Sequence, residues 1–405
     1  MTQHYQFGDQ LIRSDDPGFS KHLEWAHQGK QRPLCVCRKP HVEMYVAKAS
    51  GRFIIKRMPN TGSSHAPMCD SYEPPAELSG LGQVMGSAIQ EDPTDGNTSL
   101  KLDFSLTKVG GRAAPLPSGS ESDSVSTDGT KLTLRGTLHY LWEEAGFNRW
   151  VPGMEGKRSW YVIRKYLLQA ADGKRTKGTN LADILYIPES FNPEKKAEIT
   201  QRRVAMMNGI ATSVKGGRRL MLTIGEVKEL GAARYGHKIV FKHLPDCHFM
   251  VNEDLHKRLQ KRFGTEIALW DAIKGSHLVA IGTISMGTTG VVSLEEIALM
   301  LVTDNWLPVE HTFDATLLDG LIAAKRRFAK GLRYNLSSSR PLASVVLSDT
   351  LPAPTAMYII PLGASDDYLK ALAELRAESV LGSWEWDAGD ASPMPDFPAA
   401  GESDA

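Results

Sequence analysis

The sequence predicts a multidomain α+β protein with a metal-stabilised hairpin near its N-terminus, and three observations lead to this class. The chain has 405 residues, a length that suggests two or three domains with separate cores. Segments in which alternate residues are apolar, as in strands, are interspersed with segments in which apolar residues recur every three or four positions, as in helices. Three of the four cysteines lie within residues 35–69.

These three cysteines and one histidine have a spacing that suits a metal ion. Cys-Val-Cys at 35–37 precedes two predicted strands, Val42–Ala47 and Arg52–Arg57, and His-Ala-Pro-Met-Cys at 65–69 follows them. A turn at Ser50-Gly51 would join the strands and bring the two pairs together. The candidate ligands are Cys35, Cys37, His65 and Cys69. Four protein ligands leave no position for water, so we expect a closed, structural zinc site. Ordinary thiols beside an incidental histidine are the alternative.

The expected zinc-hairpin domain covers residues 1–109. Its first helix should begin near Asp15-Asp16-Pro17, a typical start signal. Beyond the hairpin, the pattern predicts a helix over Glu77–Ile89 and a strand over Leu100–Thr107. Residues 110–130 are rich in Gly, Pro, Ser and Asp, and we expect them to form a linker loop.

Residues 131–180 are expected to form a helical, basic module. Leu134, Leu138 and Leu141 repeat at helical spacing, and a second helix is expected over roughly Lys157–Ala171. The order of helix, loop and basic helix is compatible with a helix-turn-helix or winged-helix DNA reader. The connecting loop is longer than the tight turn of that motif, which weakens this interpretation.

A mixed α/β domain is expected at 181–308. Its predicted strands are Ile184–Pro188, Arg218–Val227, Lys238–Val251, Leu278–Ser285 and Ile297–Trp306. Its predicted helices are Pro193–Val214 and Asn252–Phe263.

A C-terminal α/β unit is expected at 309–387, beginning with a helix over Phe313–Lys330. Its predicted order of helix, two strands, helix and strand resembles the core of PD-(D/E)xK nucleases, which hold Mg²⁺ between carboxylates on neighbouring strands. Asp314 and Asp349 are the candidate carboxylates. The next strand, Ala356–Pro361, has neither an acidic residue nor a lysine, so the pattern favours at most a degenerate nuclease core. No catalytic residue is therefore assigned.

Charge is distributed unevenly along the chain although its formal net charge is zero. Asp387–Ala405 carries five acidic residues and no Lys or Arg, and residues 388–405 are expected to form a disordered acidic tail. Glu121, Asp123 and Asp128 add three more in the linker region. Without these eight charges the chain has 47 basic against 39 acidic residues, so its globular part is modestly basic.

Basic residues cluster in two stretches, which indicates contacts with phosphate groups. Arg149–Arg219 has 15 Lys or Arg against six Asp or Glu, and Gly320–Arg340 has six basic residues and no acid. Such surfaces bind nucleic acid with salt-sensitive affinity. The candidate phosphate contacts are Arg158, Arg164, Lys165, Arg202, Arg203, Arg326 and Arg327. Solvated helix faces and protein contacts explain the same pattern equally well.

Other motifs give weaker indications. Met-Gly-Thr-Thr-Gly at 286–290 is not followed by the Lys-Ser/Thr of a P-loop, so we expect a turn between strands. Cys247 has an adjacent Asp246 and His248, but nucleophilic catalysis requires an arrangement in space, and a structural thiol is expected. No apolar run is long enough to span a membrane, and reduced cysteines in a zinc site favour the cytoplasm.

Several strings are similar to those of a known family. They are Pro33–Cys37, Arg57–Gly62, Tyr72–Pro75 with Leu78–Gly80, Trp306–Glu310 and Tyr358–Pro361. On these strings the chain resembles an uncharacterised bacterial family with domain of unknown function 1173, often encoded on integrative and conjugative elements. The resemblance implies a bacterial, cytoplasmic protein of mobile DNA, and it implies no established activity.

The sequence therefore favours a zinc-containing nucleic-acid-binding protein of a bacterial mobile genetic element, acting in its maintenance or transfer, with DNA as the expected partner and no membrane contact. A metal-dependent nuclease of the PD-(D/E)xK type, degenerate or active, is one alternative. A protein-interaction module that binds no nucleic acid is the other.

Overall fold

A computed structural model describes residues 3–49, 51–94, 96–108, 128–211, 213–214, 217–287, 289–390 and 392–401 of the chain. Its architecture is mixed α+β with several sheets, which confirms the predicted class. The expected linker at 110–130 lies mostly outside the described residues, which resume at Asp128.

The secondary structure of the described ranges comprises eight α-helices and 24 strands. The helices are α1 (Phe19–Gln28), α2 (Leu81–Val84), α3 (Leu134–Glu144), α4 (Trp160–Ala171), α5 (Lys196–Ala211), α6 (Glu253–Ala272), α7 (Thr312–Ala323) and α8 (Asp366–Glu378). The strands of the first half are β1 (His4–Phe7), β2 (Gln10–Arg13), β3 (Leu34–Cys35), β4 (Val42–Ala49), β5 (Arg52–Arg57), β6 (Ile89–Glu91), β7 (Thr98–Leu100), β8 (Thr107–Lys108), β9 (Arg149–Trp150), β10 (Lys174–Thr176), β11 (Thr179–Asn180) and β12 (Leu185–Tyr186). Those of the second half are β13 (Ser213–Val214), β14 (Gly217–Arg219), β15 (Met221–Ala232), β16 (His237–Phe241), β17 (Leu244–Val251), β18 (His277–Met286), β19 (Val292–Val302), β20 (Pro308–Val309), β21 (Phe328–Lys330), β22 (Val345–Leu347), β23 (Thr355–Ile360) and β24 (Gly382–Asp387).

The N-terminal unit is a five-stranded sheet with strand order β2-β1-β3-β4-β5, covered by α1. Alternate residues of the β4–β5 hairpin face α1, because side chains alternate along a strand. Met44, Val46, Phe53 and Ile55 belong to this small core, together with Leu23 of α1. The core is separate from the main one, so the unit buries little apolar surface of its own.

Residues 221–302 form a closed five-stranded barrel. The first half of β15 pairs with β18 and its second half with β16, across a bulge between Val227 and Glu229. The ring continues from β16 to β17, then in parallel from β17 to β19, and returns through β18. A bulge sharpens the bend of a strand, and here it lets β15 belong to both sides of the barrel. Gly225 is required before the bulge, because an added Cβ would overlap the ring of Phe241.

This strand order, with a helix between the third and fourth strands, is that of the OB fold. The helix is α6, which begins where the Asn252 side chain accepts the Leu255 N–H and packs against β18 and β19. Apolar residues fill the interior. Phe241, Phe249 and Leu299 are fully buried on the Gly225 side of the sheet, and Ile224 and Ile281 are fully buried on the opposite side.

The C-terminal unit is a five-stranded sheet with order β24-β23-β22-β21-β9, and β24 runs parallel to β23. The edge strand β9 comes from the connection between α3 and α4. The sheet therefore joins the predicted helical module to the predicted C-terminal unit. Strands from different predicted domains share sheets. The predicted domain boundaries stay a prediction.

Two predicted elements are wrong because glycines and left-handed residues interrupt them. The expected helix over Glu77–Ile89 is a short 3₁₀ turn followed by α2, which Gly86 ends with a φ of +74°. The expected helix over Phe313–Lys330 ends at Ala323, and Lys325 has a φ of +54°. Phe328 then lies on β21, paired with Trp150 and Leu347.

Three further elements have limits in the structure that differ from the predicted ones. Lys238–Val251 is a hairpin of β16 and β17, with its turn at residues 242–243. The helix predicted over Asn252–Phe263 continues to Ala272, past a non-helical Phe263 with φ −126° and ψ 20°. Leu100–Thr107 is split between the end of β7 and the start of β8.

The structure describes residues 388–390 and 392–401 of the acidic C-terminal segment, for which the sequence predicts disorder, and hydrogen bonds join this part to the rest of the chain. The Trp384 and Trp386 indole N–H groups donate to the carbonyls of Asp396 and Ser392 at 3.0 Å. Gly401 donates its N–H to the Asp349 carbonyl at 2.7 Å. These bonds attach the segment to the edge of the C-terminal sheet.

Candidate metal centre and barrel surface

The four candidate metal ligands come from two short segments that the hairpin brings together. β3 ends at Cys35, which pairs with Val42 of β4, and Cys37 follows two residues later. After β5, a 3₁₀ turn over Gly62–Ser64 leads to His65, and a tight turn from Ala66 places Cys69. Chain reversal at the hairpin thus positions both segments at its open end.

Three of the six distances between the ligand atoms match the edges of a tetrahedral metal site. Cys35 Sγ lies 3.7 Å from Cys69 Sγ, and His65 Nδ1 lies 3.5 Å from Cys37 Sγ and 3.8 Å from Cys69 Sγ. All four atoms lie within 4.8 Å of one another. Zinc bonds of about 2.3 Å to sulfur and 2.0–2.1 Å to nitrogen give tetrahedral edges of about 3.8 Å and 3.5 Å. The prediction that these residues cluster around one point is confirmed.

Backbone groups around the cluster are oriented toward sulfur. The Ala66 N–H donates to Cys37 Sγ and the Ser71 N–H to Cys69 Sγ, both at 3.4 Å. Such outer hydrogen bonds stabilise thiolates and orient metal ligands. The loop closes tightly, since a Cβ on Gly62 would lie 2.7 Å from the Glu73 Cβ.

Protonation in the cluster is uneven. The hydrogen bond to Cys69 and burial together raise the pKa of the Cys35 thiol, and the same hydrogen bond lowers the pKa of Cys69. His65 is buried and turns Nδ1 toward the thiols, while its Nε2 has no hydrogen-bond partner among the residues described. The donor set therefore offers one imidazole nitrogen and three sulfurs to a metal.

The metal loop is attached to the rest of the molecule through Arg149 on β9. Its guanidinium donates to the Asp70 carbonyl and to Glu73, both at 2.6 Å, and Glu73 also pairs with Arg57 on β5. Glu73 is thus shared between two arginines at the junction. The position of Cys69 depends on this junction, because Asp70 and Glu73 follow it directly in the loop.

The barrel presents an aromatic and basic loop, residues 233–236, between β15 and β16. Tyr235 is 78% exposed, and the Arg234 guanidinium lies over its ring at 5.4 Å from the centroid. A second loop, called the 287–291 loop, joins β18 to β19 and is described at residues 287 and 289–291. In the pairing register Ile239 lies opposite Phe249, and Phe249 lies opposite Val292. Because β16 runs antiparallel to both β17 and β19, the two loops lie at opposite ends of the β16–β17–β19 surface and flank it from both sides.

A buried carboxylate lies at the end of the first half of β15. Glu226 Oε1 is 2.7 Å from His277 Nδ1 and 2.8 Å from Lys242 Nζ. Hydrogen bonds from these neighbours and from His243 outweigh burial and lower the pKa of Glu226. His277 also stacks on Trp306 at 4.2 Å. The cluster neutralises a buried charge and fixes β15 against the turn after β16.

The basic residues on α4 and before it have different surroundings. Arg158 donates to the carbonyls of Phe147 and Asn305, and burial lowers its pKa to about 10. Arg164 donates to the Ile187 carbonyl at 3.0 Å. Lys165 is exposed and lies over the ring of Tyr166. Of these three, Lys165 is the residue whose charge faces solvent.

The remaining candidate phosphate contacts are on α5 and near β21. Arg202 pairs with Glu189, and Arg203 with Asp246 at 3.0 Å. Arg326 is buried in a two-pronged pair with Asp349, and Arg327 is partly buried near Met68. The structure does not gather the seven candidate basic residues into one surface. Their role in binding nucleic acid stays a prediction.

The two carboxylates of the nuclease hypothesis are each held by a cation. Asp349 accepts from Arg326, and Asp314 Oδ2 lies 3.4 Å from Lys330 Nζ, with both of these side chains buried. Within the described ranges, the Cys3His cluster is the one group of three or more Cys, His, Asp or Glu residues close enough to hold a metal. The geometry gives no support to a magnesium site at Asp314 and Asp349.

Residues 5–389 match the model of a family described as a protein of unknown function, DUF1173. The chain belongs to this family. No curated protein and no solved structure matches the chain. The DUF1173 match covers the metal loop, the barrel and the C-terminal sheet together.

The barrel loops are the feature that the sequence analysis missed. The string Ala-Arg-Tyr-Gly at 233–236 was available as a turn signal with an adjacent aromatic and cation. Its importance depends on the strands that surround it.

Among the helices in the described part of the chain, none is long and apolar enough to cross a membrane.

Proposed function

We propose that this DUF1173 chain binds nucleic acid through the surface of its barrel, and that a structural zinc ion holds its N-terminal hairpin. The observation that carries the proposal is the closed five-stranded barrel with the OB strand order. In this fold the second and third strands and the loops between strands one and two and between four and five bind oligonucleotides. The corresponding parts here are β16, β17, the 233–236 loop and the 287–291 loop.

The chemistry of these parts supports single-stranded nucleic acid as the ligand. Unpaired bases stack on exposed aromatic rings, and each stacked base contributes about 1–3 kcal/mol. Tyr235 offers such a ring, and Arg234 beside it supplies both a cation and a planar guanidinium. Lys238 and Met250 lie opposite each other on the same surface, between the two loops. The surface therefore places an aromatic ring beside positive charge where the nucleic acid strand would cross the barrel.

Zinc fits the metal cluster because thiolate and imidazole ligands in a tetrahedral arrangement favour it. Four protein ligands close the coordination sphere, so the ion stabilises the loop and carries out no reaction. Three reduced thiols agree with a cytoplasmic protein. The resemblance noted from the sequence supports a bacterial mobile element as the genetic context, in which nucleic acid is the expected partner.

The test is equilibrium binding of the zinc-loaded full chain to a fluorescent single-stranded oligonucleotide and to its duplex, across a salt series. We expect tighter binding of the single strand and a loss of affinity as salt rises. Arg234→Glu should weaken binding at least tenfold, because it reverses a charge in the barrel loop. Lys165→Glu is the matched control for the same charge change on α4.

Two results separate the barrel from the predicted basic helices. Equal loss in both variants would assign the contact to diffuse charge and not to the barrel. Loss in Lys165→Glu alone would move the binding surface to α4. No binding at low salt, with a co-purified protein retained regardless of salt, would replace the proposal by a protein-interaction function.

A further inference from the structure

A cavity of about 180 Å³ lies between the metal hairpin and the helix pair. Its walls come from the outer side of β4 and β5, from α4, and from the residues that precede β10. In the hairpin register Tyr45 lies opposite Lys56 and Ala47 opposite Ile54. Because side chains alternate, these four residues are on the side of the hairpin away from α1.

Three lysines, Lys48, Lys56 and Lys174, line this cavity, and Lys174 is already paired. Lys174 is 1% exposed, and its Nζ donates to Glu144. Burial raises the pKa of Glu144, but Lys174 and Lys56 outweigh it and lower that pKa to about 2. Glu144 is therefore an ionised carboxylate with Lys174 as its cation.

Lys48 Nζ lies over the ring of Phe53, whereas no hydrogen bond or ion pair joins Lys56 Nζ to any residue that the structure describes. Burial and the neighbouring Lys174 lower the pKa of Lys56. Glu144 and Glu91 act in the opposite direction on the pKa of Lys56, but Glu144 is already paired with Lys174, and burial and Glu144 raise the pKa of Glu91. A partly buried ammonium without a partner is unfavourable, and an anion in the cavity would supply the missing charge.

The rim of the cavity adds an aromatic ring and an amide from α4. Tyr166 is 43% exposed and meets Phe147 edge-on, at 6.2 Å between centroids. Gln169, one turn further along α4, is exposed beside it. A phosphoryl group attached to a flat base would satisfy the cation inside and the ring at the rim.

We propose that this cavity binds the phosphomonoester of a nucleotide, with Lys56 holding the phosphoryl group and Tyr166 contacting the base. The site shares no residue with the barrel surface or with the metal ligands, so it does not depend on the function proposed above. The same phosphomonoester occurs in a free nucleotide and at the 5′ end of a nucleic acid strand.

The test is calorimetric binding of AMP, adenosine and inorganic phosphate to the zinc-loaded full chain. Lys56→Gln should weaken AMP and phosphate binding by about tenfold or more, because a charge-assisted bond is lost. Lys56→Arg should retain binding. Arg52→Gln is the matched control, since it removes one positive charge from the exposed end of the same hairpin. Tyr166→Ala should lower AMP affinity toward that of phosphate and leave phosphate unchanged.

The source of the phosphate is decided with oligonucleotides that carry or lack a 5′-phosphate. A preference for the phosphorylated strand that Lys56→Gln abolishes assigns the strand end, and AMP binding without that preference assigns a free nucleotide. Wild-type protein that binds neither AMP nor phosphate overturns the proposal, as does Lys56→Gln protein that folds and binds both as tightly as wild type. Strand binding that persists in either case leaves the barrel proposal standing.

Discussion

The N-terminal unit and the barrel are stabilised in opposite ways. The buried core of the N-terminal unit consists of Tyr5, Phe7, Leu23, Ala26, Cys35, Val42 and Met44, and one of these is a candidate metal ligand. The barrel interior belongs to the large core that also includes α3, α4 and the C-terminal sheet. A small core supplies too little burial for independent stability, so we expect a metal ion to hold the first region, whereas apolar packing holds the second. The two regions should therefore lose their structure under different perturbations.

The largest expected effect is the loss of the metal. Cys37→Ser should remove the bound ion and unfold the N-terminal unit, because structural zinc in small domains contributes on the order of 10 kcal/mol. Metal content by elemental analysis and thermal melting by circular dichroism check this. Cys247→Ser is the control, since Cys247 lies on β17 outside the cluster. Full metal content in Cys37→Ser would contradict the site.

A substitution in the barrel core should destabilise the barrel and leave the metal site intact. Phe249→Ala should lower the free energy of unfolding by about 3–5 kcal/mol, because Phe249 is fully buried and a cavity would remain. Its partner ring, Phe241, lies 4.7 Å away. Chemical denaturation measures the effect, and zinc content should stay at the wild-type level. Loss of zinc along with stability would show that the two regions unfold as one.

Acid should weaken the large core through His139 on α3. Burial, with the nearby Arg135, lowers the pKa of His139 to about 3, below the unfolded value of about 6.5. The unfolded chain therefore binds this proton first, and stability falls as pH decreases from about 6.5 toward 3. Between pH 7 and pH 5 the loss should be about 2 kcal/mol. Urea unfolding at the two pH values measures this loss of stability, and His139→Gln should reduce it. An unchanged loss would mean that another group binds the proton.

The smallest expected effect concerns the barrel surface. Tyr235→Ala should weaken oligonucleotide binding by about 1–2 kcal/mol through lost stacking, with melting temperature and metal content unchanged, because the side chain is exposed. Fluorescence anisotropy measures the affinity. Tyr161→Ala on α4 is the matched control, with a tyrosine that is 66% exposed. Equal effects in the two variants would remove the distinction between barrel and helix.

The metal cluster was predictable because its ligands lie close together in sequence. The Cys-Val-Cys and His-Ala-Pro-Met-Cys strings flank one hairpin, and a hairpin has a local register that a turn determines. Helix α1 and the start of α6 were predictable for a similar reason, since a start signal such as Asn252 acts within one turn.

The barrel was not predictable in this way because its closure depends on distant pairs. Met221 pairs with Ile284, and Phe249 pairs with Val292 across the intervening helix α6. The alternation of apolar and polar residues within one strand does not indicate which other strand pairs with it. The turn at residues 242–243 was missed for this reason, and β16 and β17 were read as one strand.

The mixed class, the four candidate metal ligands and the start of helix α6 follow from local sequence patterns, because these depend on neighbours a few residues apart. The tertiary structure is needed to show that Arg326 and Asp349 form an ion pair and that Arg158 donates hydrogen bonds to backbone carbonyls. It also decided that the 233–236 and 287–291 loops flank one surface and that Lys56 faces a cavity. Charge and aromatic residues have a function only where packing leaves them exposed together, and that packing arises from contacts far apart in the chain.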